Sequence, residues 1–301
     1  MSLPFVYHAS YSQLALPSQH RFPSSKYRNL YLAALNHGWL SSAQHHKPEA
    51  IDPLILTQSH DISYIEQFLN GTLPDKFMRR IGFPWTEQLV TRTLHAVSGT
   101  TLTAQLALEY QRAIHLTGGY HHAHHDFGSG FCIFNDLVIA AKQALTQAEI
   151  DKVLIFDCDV HQADGTAAMC QDEPNIITCS VHCQKNFPSR KMHSDHDIAL
   201  DKFCDDNHYL QTIAEVLPLL INLHRPDLII YDAGVDIHQD DDLGYLNITT
   251  EGLLQRDTLV FKTAKQHGIP VASVIGGGYS RDPDSLTQRH GQLLIAANTI
   301  W

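Results

Sequence analysis

The feature that most constrains the fold is a series of short apolar runs in the second half of the chain, separated by helical patterns. The runs cover residues 153–156, 176–181, 228–231 and 271–275, and residues 113–116 form a shorter one. Continuous apolar runs of this length are typical of strands buried on both faces, and the helices between them supply the crossovers of a parallel sheet. We therefore predict an α/β fold with a single open, mostly parallel sheet that has helices on both faces.

Helical periodicity is the second organising pattern. It predicts helices over residues 62–69, 102–113, 137–145, 209–223 and 253–267. Asp136 stands directly before the third of these helices and is predicted to cap it. Residues 1–50 carry scattered Pro, Ser and His and are predicted to be mostly loop. Neither an internal repeat nor a low-complexity linker divides the chain, so we expect one domain over residues 1–301.

Charge and composition narrow the classes of function. The chain has 32 acidic and 21 basic residues, which give a formal net charge of −11. This balance argues against nucleic-acid binding, which needs a basic patch, and weakly favours cationic partners such as lysine-rich segments. No apolar run approaches the roughly 18 residues of a membrane span, and no secretory signal is recognised. The six cysteines form no C-x-x-C pair, so we expect reduced, mostly buried thiols in a cytoplasmic protein.

Histidine is unusually frequent, with 21 residues, and it is the commonest metal ligand in proteins. In open parallel sheets, ligands bind beyond the carboxyl ends of the strands. Five apolar runs are followed there by residues that can bind metals or transfer protons. These are His121-His122, Asp157-x-Asp159-x-His161, His182, Asp232-x-x-x-Asp236 and Tyr279.

The run after residue 156 favours a metal site. Alternate residues of an extended segment point to the same side, so Asp159 and His161 share one face, and Asp236 is the natural third ligand. Two carboxylates and one histidine fit Zn²⁺ with an open position, and Fe²⁺ is also compatible.

The adjacent histidines His121 and His122 are candidates for proton transfer. They could hold one water between them as base and acid, each oriented by a carboxylate on its other nitrogen. Asp157 and Asp164 are the candidate partners, and His124-His125 is predicted to be solvated.

A glycine-rich turn at residues 276–278 precedes Tyr279. No G-K-[ST] follows it, so a phosphate-binding loop is a poor fit. The missing side chains would instead let the tyrosine reach a substrate carbonyl, where its hydroxyl could donate to a developing oxyanion.

Taken together and in order, these motifs resemble the zinc-dependent histone deacetylases, closest to their class IV and bacterial members. The resemblance runs from about His20 onward and includes Gly130-Phe131-Cys132, Asp164-Gly165 and Asp242-Leu243-Gly244. It implies the arginase–deacetylase fold and hydrolysis of an acyl-lysine amide in a protein or peptide. It implies zinc on Asp159, His161 and Asp236, proton transfer by His121 and His122 with Asp157 and Asp164, and carbonyl polarisation by Tyr279.

The same resemblance implies two further sets of residues. An acyl-lysine tunnel would be formed by Gly130, Phe131, Phe187 and Leu243. A structural K⁺ would lie near Asp157, Ser180 and the backbone carbonyls of Asp159 and His161.

Three alternatives remain at this stage. A two-metal ureohydrolase would need an Asp-x-His-x-Asp order, whereas this chain has Asp-x-Asp-x-His. A hydrolase of small acylated amines, such as an acetylpolyamine deacetylase, should carry an acidic gatekeeper where Leu243 stands, although Asp240–Asp242 is close. The third is a non-catalytic acyl-lysine binding protein.

Overall fold

The centre of the protein is one open sheet of eight strands, described here from a computed structural model that covers residues 3–301. Every neighbouring pair of strands is parallel. The spatial order is β2-β1-β3-β8-β7-β4-β5-β6. The strands are β1 (Phe5–Val6), β2 (His45–His46), β3 (Arg112–His115), β4 (Val153–Asp157), β5 (Ile176–Cys183), β6 (His196–Leu200), β7 (Leu228–Asp232) and β8 (Val271–Val274).

Ten α-helices connect and cover these strands in the described part of the chain. They are α1 (Lys26–Asn36), α2 (Pro53–Leu56), α3 (Ile62–Leu69), α4 (Asp75–Ile81), α5 (Glu87–Tyr110), α6 (Asp136–Ala144), α7 (Asp164–Cys170), α8 (Asp206–His224), α9 (Thr250–His267) and α10 (Pro283–Ile300). Within residues 3–301, none of them combines the length and apolar character needed to cross a lipid bilayer.

Successive residues of the central strands belong to two separate cores, one on each face of the sheet. Leu154 and Phe156 of β4 lie in the core that contains residues of α8 and α9. Val153 and Ile155 lie in the core that contains residues of α5 and α6. Side chains alternate across a strand, so a strand that is buried throughout needs helices on both faces. The predicted fold class is confirmed.

All five predicted strands are present, with ends that differ from the prediction by at most two residues. Three strands were not predicted. β1 and β2 are two residues long and lie towards one edge of the sheet, within the segment predicted to be mostly loop, which also contains α1. β6 forms the other edge, where only one side pairs and its residues are partly exposed. Short or half-exposed edge strands lack the long apolar run that identifies a buried one.

Two helix predictions need correction. The helix predicted over residues 102–113 is the end of the longer α5, which stops at Tyr110 because Gln111 takes a left-handed conformation (φ 69°) and the chain turns into β3. The cap of α6 is Asn135, whose side chain accepts from the Val138 amide. Asp136 is instead buried and accepts from the amides of Gly119 and Tyr120, so it holds the loop that precedes the histidine pair.

Candidate metal and proton-transfer site

Asp159, His161 and Asp236 meet at the carboxyl edge of the sheet. The first two follow β4, and Asp236 follows β7, which is the neighbouring strand. One potential ligand atom from each residue lies within 4.8 Å of the other two, and all three residues are buried. His161 Nδ1 lies 2.9 Å from Asp159 Oδ1 and 3.2 Å from Asp236 Oδ2. The structure therefore brings the three predicted ligands together.

Backbone amides hold both carboxylates in place. The amides of His161 and Gly277 donate to the two oxygens of Asp159, at 2.9 and 3.0 Å. The Val160 amide donates to Asp236 Oδ1 at 2.9 Å. Ligands that are positioned by the backbone need little reorganisation when an ion binds.

The donor set and the space around it fit a divalent metal ion. Asp236 Oδ2 is buried and receives no well-aligned hydrogen bond within residues 3–301, although His161 Nδ1 lies 3.2 Å away, and such an oxygen is costly unless an ion or proton meets it. A Cβ on Gly277 would touch the carboxylates of both Asp159 and Asp236, so only glycine leaves this space open. Burial and the charge of Asp159 raise the pKa of Asp236 to about 6, and a cation would relieve that repulsion. Two carboxylates and a histidine can hold zinc or iron.

The two adjacent histidines are each bonded to a separate carboxylate. His121 Nδ1 donates to Asp157 Oδ2 at 2.7 Å, and His122 Nδ1 donates to Asp164 Oδ1 at 2.6 Å. Their ring centroids are 4.1 Å apart. With each Nδ1 engaged by a carboxylate, the Nε2 atoms remain for other partners. The predicted pairing of histidines with carboxylates is the one that the structure contains.

The pKa values of the two imidazoles are shifted in opposite directions. Burial and the neighbouring His121 lower the pKa of His122 to about 4. Burial also opposes a charge on His121, but the carboxylates of Asp157 and Asp159 outweigh it and raise its pKa well above the usual value. In this arrangement His122 is neutral at pH 7 and can accept a proton.

His124 is partly buried and bonded, whereas the sequence predicts it to be solvated. Its Nε2 lies 3.1 Å from Asp164 Oδ2, and its ring stacks on Phe127 with centroids 4.3 Å apart. Asp164 therefore bonds to His122 on one oxygen and to His124 on the other. His125 is exposed. The one sequence feature that could have indicated this contact is that His124 stands two residues after His122, which shares the same carboxylate.

Tyr279 follows β8, and its position is fixed by Asp241, for which the sequence predicts no role. The buried Asp241 accepts from the Tyr279 amide at 2.7 Å and also from the amides of Leu243 and Gly244. Asp241 thus ties the tyrosine loop to the loop that carries Leu243. Its flanking residues Asp240 and Asp242 are exposed, as expected for a solvated loop. The Tyr279 hydroxyl has no hydrogen-bond partner within residues 3–301, and burial raises its pKa well above the usual value.

Lys26 is a second supporting residue that sequence reasoning did not assign. Its side chain is buried, and Nζ donates to the carbonyls of Gly276 at 3.0 Å and Gly278 at 3.4 Å. These carbonyls belong to the loop that leads to Tyr279. No local pattern indicates a contact between residues 250 positions apart.

We expect Lys26→Met to lower the free energy of unfolding by about 2 kcal/mol, because it leaves two buried carbonyls without donors. The measurement is chemical denaturation. Lys191→Met is the matched control, since Lys191 also donates to two carbonyls but is only half-buried, so water can replace it. A Lys26 variant that loses no more stability than the Lys191 variant would contradict the supporting role.

Three of the four predicted tunnel residues lie close to the histidines and the tyrosine. The Phe187 ring meets the His122 ring edge to face at 4.8 Å, and the Phe131 ring lies 5.9 Å from the Tyr279 ring. A Cβ on Gly130 would press on the His122 ring. Leu243 lies farther out, on a surface groove that it shares with Lys26 and Ser280.

Two residues of the predicted K⁺ site are neighbours in the sheet. Ser180 of β5 stands in register with Asp157 of β4. The Ser180 hydroxyl accepts from the Ala163 amide and lies 3.1 Å from His182 Nδ1. His182 therefore bonds to Ser180 and does not join the metal cluster.

Asp232 was part of the sequence pattern but received no role. It stands in register with Asp157, and one of its oxygens lies within 4.8 Å of ligand atoms of Asp157 and His121. Both of its carboxylate oxygens are buried without a hydrogen-bond partner in the described chain. Burial and the charge of Asp157 raise the pKa of Asp232 well above its usual value.

An open parallel sheet that carries this cluster beyond its strand ends defines the arginase–deacetylase class of α/β proteins. The solved HDA15 HD domain has the same fold, with a TM-score of 0.81 and 18% identity over 99% of this chain and 88% of that chain. The sequence profile of the histone deacetylase domain matches residues 20–293. This chain belongs to the histone deacetylase family.

Curated relatives agree with this assignment. An uncharacterized protein of Picosynechococcus sp. is 46% identical over 301 residues, which is the full length of both chains. Histone deacetylase 2 of Arabidopsis thaliana is 27% identical over 92% of this chain and 74% of its own length. Acetoin utilization protein AcuC of Staphylococcus aureus is 27% identical over 91% of this chain and 76% of its own length.

Proposed function

We propose that the protein is a metal-dependent hydrolase that removes acyl groups from the side-chain amine of lysine in a protein or peptide. The observation that carries this proposal is a single cavity of about 30 Å³ at the carboxyl edge of the sheet. Its lining includes Asp159, His161, His121, His122 and Tyr279. Metal ligands, proton-transfer groups and a hydroxyl donor thus face the same space. Family membership and the relatives named histone deacetylase support the same reaction.

Asp159, His161 and Asp236 would hold the metal ion, and zinc suits this ligand set best. When bound, zinc supplies Lewis acidity, which lowers the pKa of water towards about 7 and polarises a carbonyl. Fe²⁺ could take the same ligands. A structural K⁺ beside Asp157 and Ser180 is part of the same proposal.

The chain's own residues then move protons and hold the substrate. His122 accepts a proton from the attacking water, since Asp164 fixes its Nδ1 and orients the ring. The water oxygen bonds to the acyl carbon, and the Tyr279 hydroxyl donates to the oxyanion that develops. His122 or His121 protonates the lysine nitrogen as the carbon–nitrogen bond breaks, which leaves a carboxylic acid and a free amine.

Phe131 and Phe187 would exclude water from the acyl chain. Their rings lie beside Tyr279 and His122 respectively, so an acyl-lysine that reaches the cavity passes between apolar walls. Gly130 leaves room for the His122 ring, and Leu243 lies at the entrance.

The geometry gives little support to a small cationic substrate. An acetylpolyamine hydrolase needs a free carboxylate at the entrance. Asp241 is buried and already accepts three backbone amides, and Leu243 is apolar. Asp242 is the one free carboxylate in the adjoining groove, and it shares that groove with Arg21 and Arg281. We therefore favour a polypeptide substrate.

The deciding experiment measures hydrolysis of one lysine peptide that carries acyl groups from acetyl to myristoyl, with and without a chelator. We expect turnover that the chelator abolishes and added Zn²⁺ restores, and the best acyl length reports the depth of the tunnel. No turnover on any acyl group by metal-loaded protein would reject the proposal.

A further inference from the structure

Two surface grooves adjoin the candidate site. The tyrosine-side groove, of about 740 Å³, includes Arg21, Lys26, Leu243, Ser280 and Arg281 in its lining. The histidine-side groove, of about 670 Å³, includes Arg80, His124, Gly130, Phe187 and Arg190. Each shares a residue with the cavity that contains the catalytic candidates, Lys26 in the first case and Gly130 in the second. A polypeptide with its acyl-lysine in the cavity would therefore place its flanking residues in these grooves.

Arginine is concentrated in the two grooves. The chain has eleven arginines, of which Arg92, Arg112, Arg256 and Arg289 are buried and the other seven are exposed. Four of those seven line the grooves, and we call them the arginine rim: Arg21, Arg80, Arg190 and Arg281. A protein with a formal net charge of −11 thus presents a locally positive entrance.

The arginine rim has no internal carboxylate partners. The ion pairs of Lys and Arg in residues 3–301 include Lys142–Glu173, Arg256–Asp257 and Arg289–Asp240, and no arginine of the rim forms one there. The grooves contain one free carboxylate, Asp242, because Asp164 is bonded to His122 and His124. Arg80 lies 3.6 Å above the Phe127 ring, which orients its guanidinium without neutralising it.

We infer that the arginine rim binds aspartate or glutamate side chains on either side of the acyl-lysine in a polypeptide substrate; this rests on the proposed deacylase function. Guanidinium groups bind carboxylates through paired hydrogen bonds, and successive residues of an extended chain are about 3.3–3.6 Å apart, so neighbouring positions reach both grooves. Basic tails and polyamines would instead be repelled. This inference is opposite to the expectation from net charge, which favours cationic partners.

The test compares kcat/KM for three acyl-lysine peptides that differ only in their flanking residues, which are Glu, Ala or Lys on both sides. We expect the Glu-flanked peptide to exceed the Lys-flanked one by about 5- to 10-fold at low salt, since each exposed ion pair contributes modestly. The preference should shrink as salt screens the charges. A ratio near one, or a preference for Lys, would overturn the inference while leaving the deacylase function intact.

Arginine variants test whether the preference for Glu-flanked peptides depends on the arginine rim. In Arg21→Gln/Arg281→Gln and Arg80→Gln/Arg190→Gln the Glu-to-Lys ratio should fall, and in the fourfold variant it should approach one. The control is Arg28→Gln/Arg225→Gln, which removes two exposed arginines outside the grooves and should keep the full ratio. A ratio that survives in the fourfold variant would overturn the role of the rim.

A binding measurement tests the preference for acidic flanking residues separately from hydrolysis. If no peptide is hydrolysed, fluorescence anisotropy of the labelled Glu- and Lys-flanked acyl-lysine peptides still reports the preference. Tighter binding of the Glu-flanked peptide would support the rim even with the hydrolase proposal rejected, and equal binding would reject both.

Discussion

Asp236→Asn is expected to abolish metal binding and to lower acyl-lysine hydrolysis by at least about 10³-fold, since activation of water by the ion is lost. The reason is that Asp236 contributes a buried oxygen with no other partner to the cluster with Asp159 and His161. Metal analysis of the purified variant measures the first effect, and single-substrate kinetics measures the second.

The strand that precedes Asp236 supplies a matched control. Asp232→Asn also neutralises a buried carboxyl group, four residues earlier, but Asp232 is outside the Asp159–His161–Asp236 cluster. Because Asp232 contributes no atom to that cluster, its variant should retain one divalent metal ion per chain. Equal loss of the divalent ion in both variants, or two divalent ions per wild-type chain, would contradict the one-ion cluster and favour a two-metal hydrolase.

Tyr279→Phe is expected to lower kcat by about 10²–10³-fold with little change in metal content, which is the usual effect of removing one oxyanion donor. The ring still packs beside Phe131, and Asp241 still holds the backbone amide, so the loop should keep its position. The variant therefore isolates the contribution of the hydroxyl.

Tyr110→Phe is the control for this substitution. Tyr110 ends α5, just before β3 begins, and so lies at the amino ends of the strands. Tyr279 follows the carboxyl end of β8. Its variant should keep wild-type turnover. Unchanged kcat in Tyr279→Phe would remove the tyrosine from the proposed mechanism.

The sequence alone was sufficient for the fold class and for predicting which polar residues after the strands lie together at the candidate site. Apolar runs mark buried strands, and all parallel strands end at the same edge, so the polar residues after each run had to meet. Asp159, His161 and Asp236 could be grouped for this reason, and Asp157 and Asp164 could be named as candidate partners of the histidine pair, while the resemblance to the deacetylases implied which carboxylate meets which histidine. Local pattern and a simple rule of topology together carried that information.

Only the tertiary structure decided which residues support the site and where the charge lies. Lys26 reaches the glycine loop across 250 residues, and Asp241 accepts from the Tyr279 amide. His124, which the sequence predicts to be solvated, bonds to Asp164. The arginine rim joins four separate segments of the chain. Net charge is summed over the whole chain and does not say where the charges lie. Contacts between distant segments produce no periodic pattern in the sequence. The arginine rim and the supporting residues therefore could not be predicted without the tertiary structure.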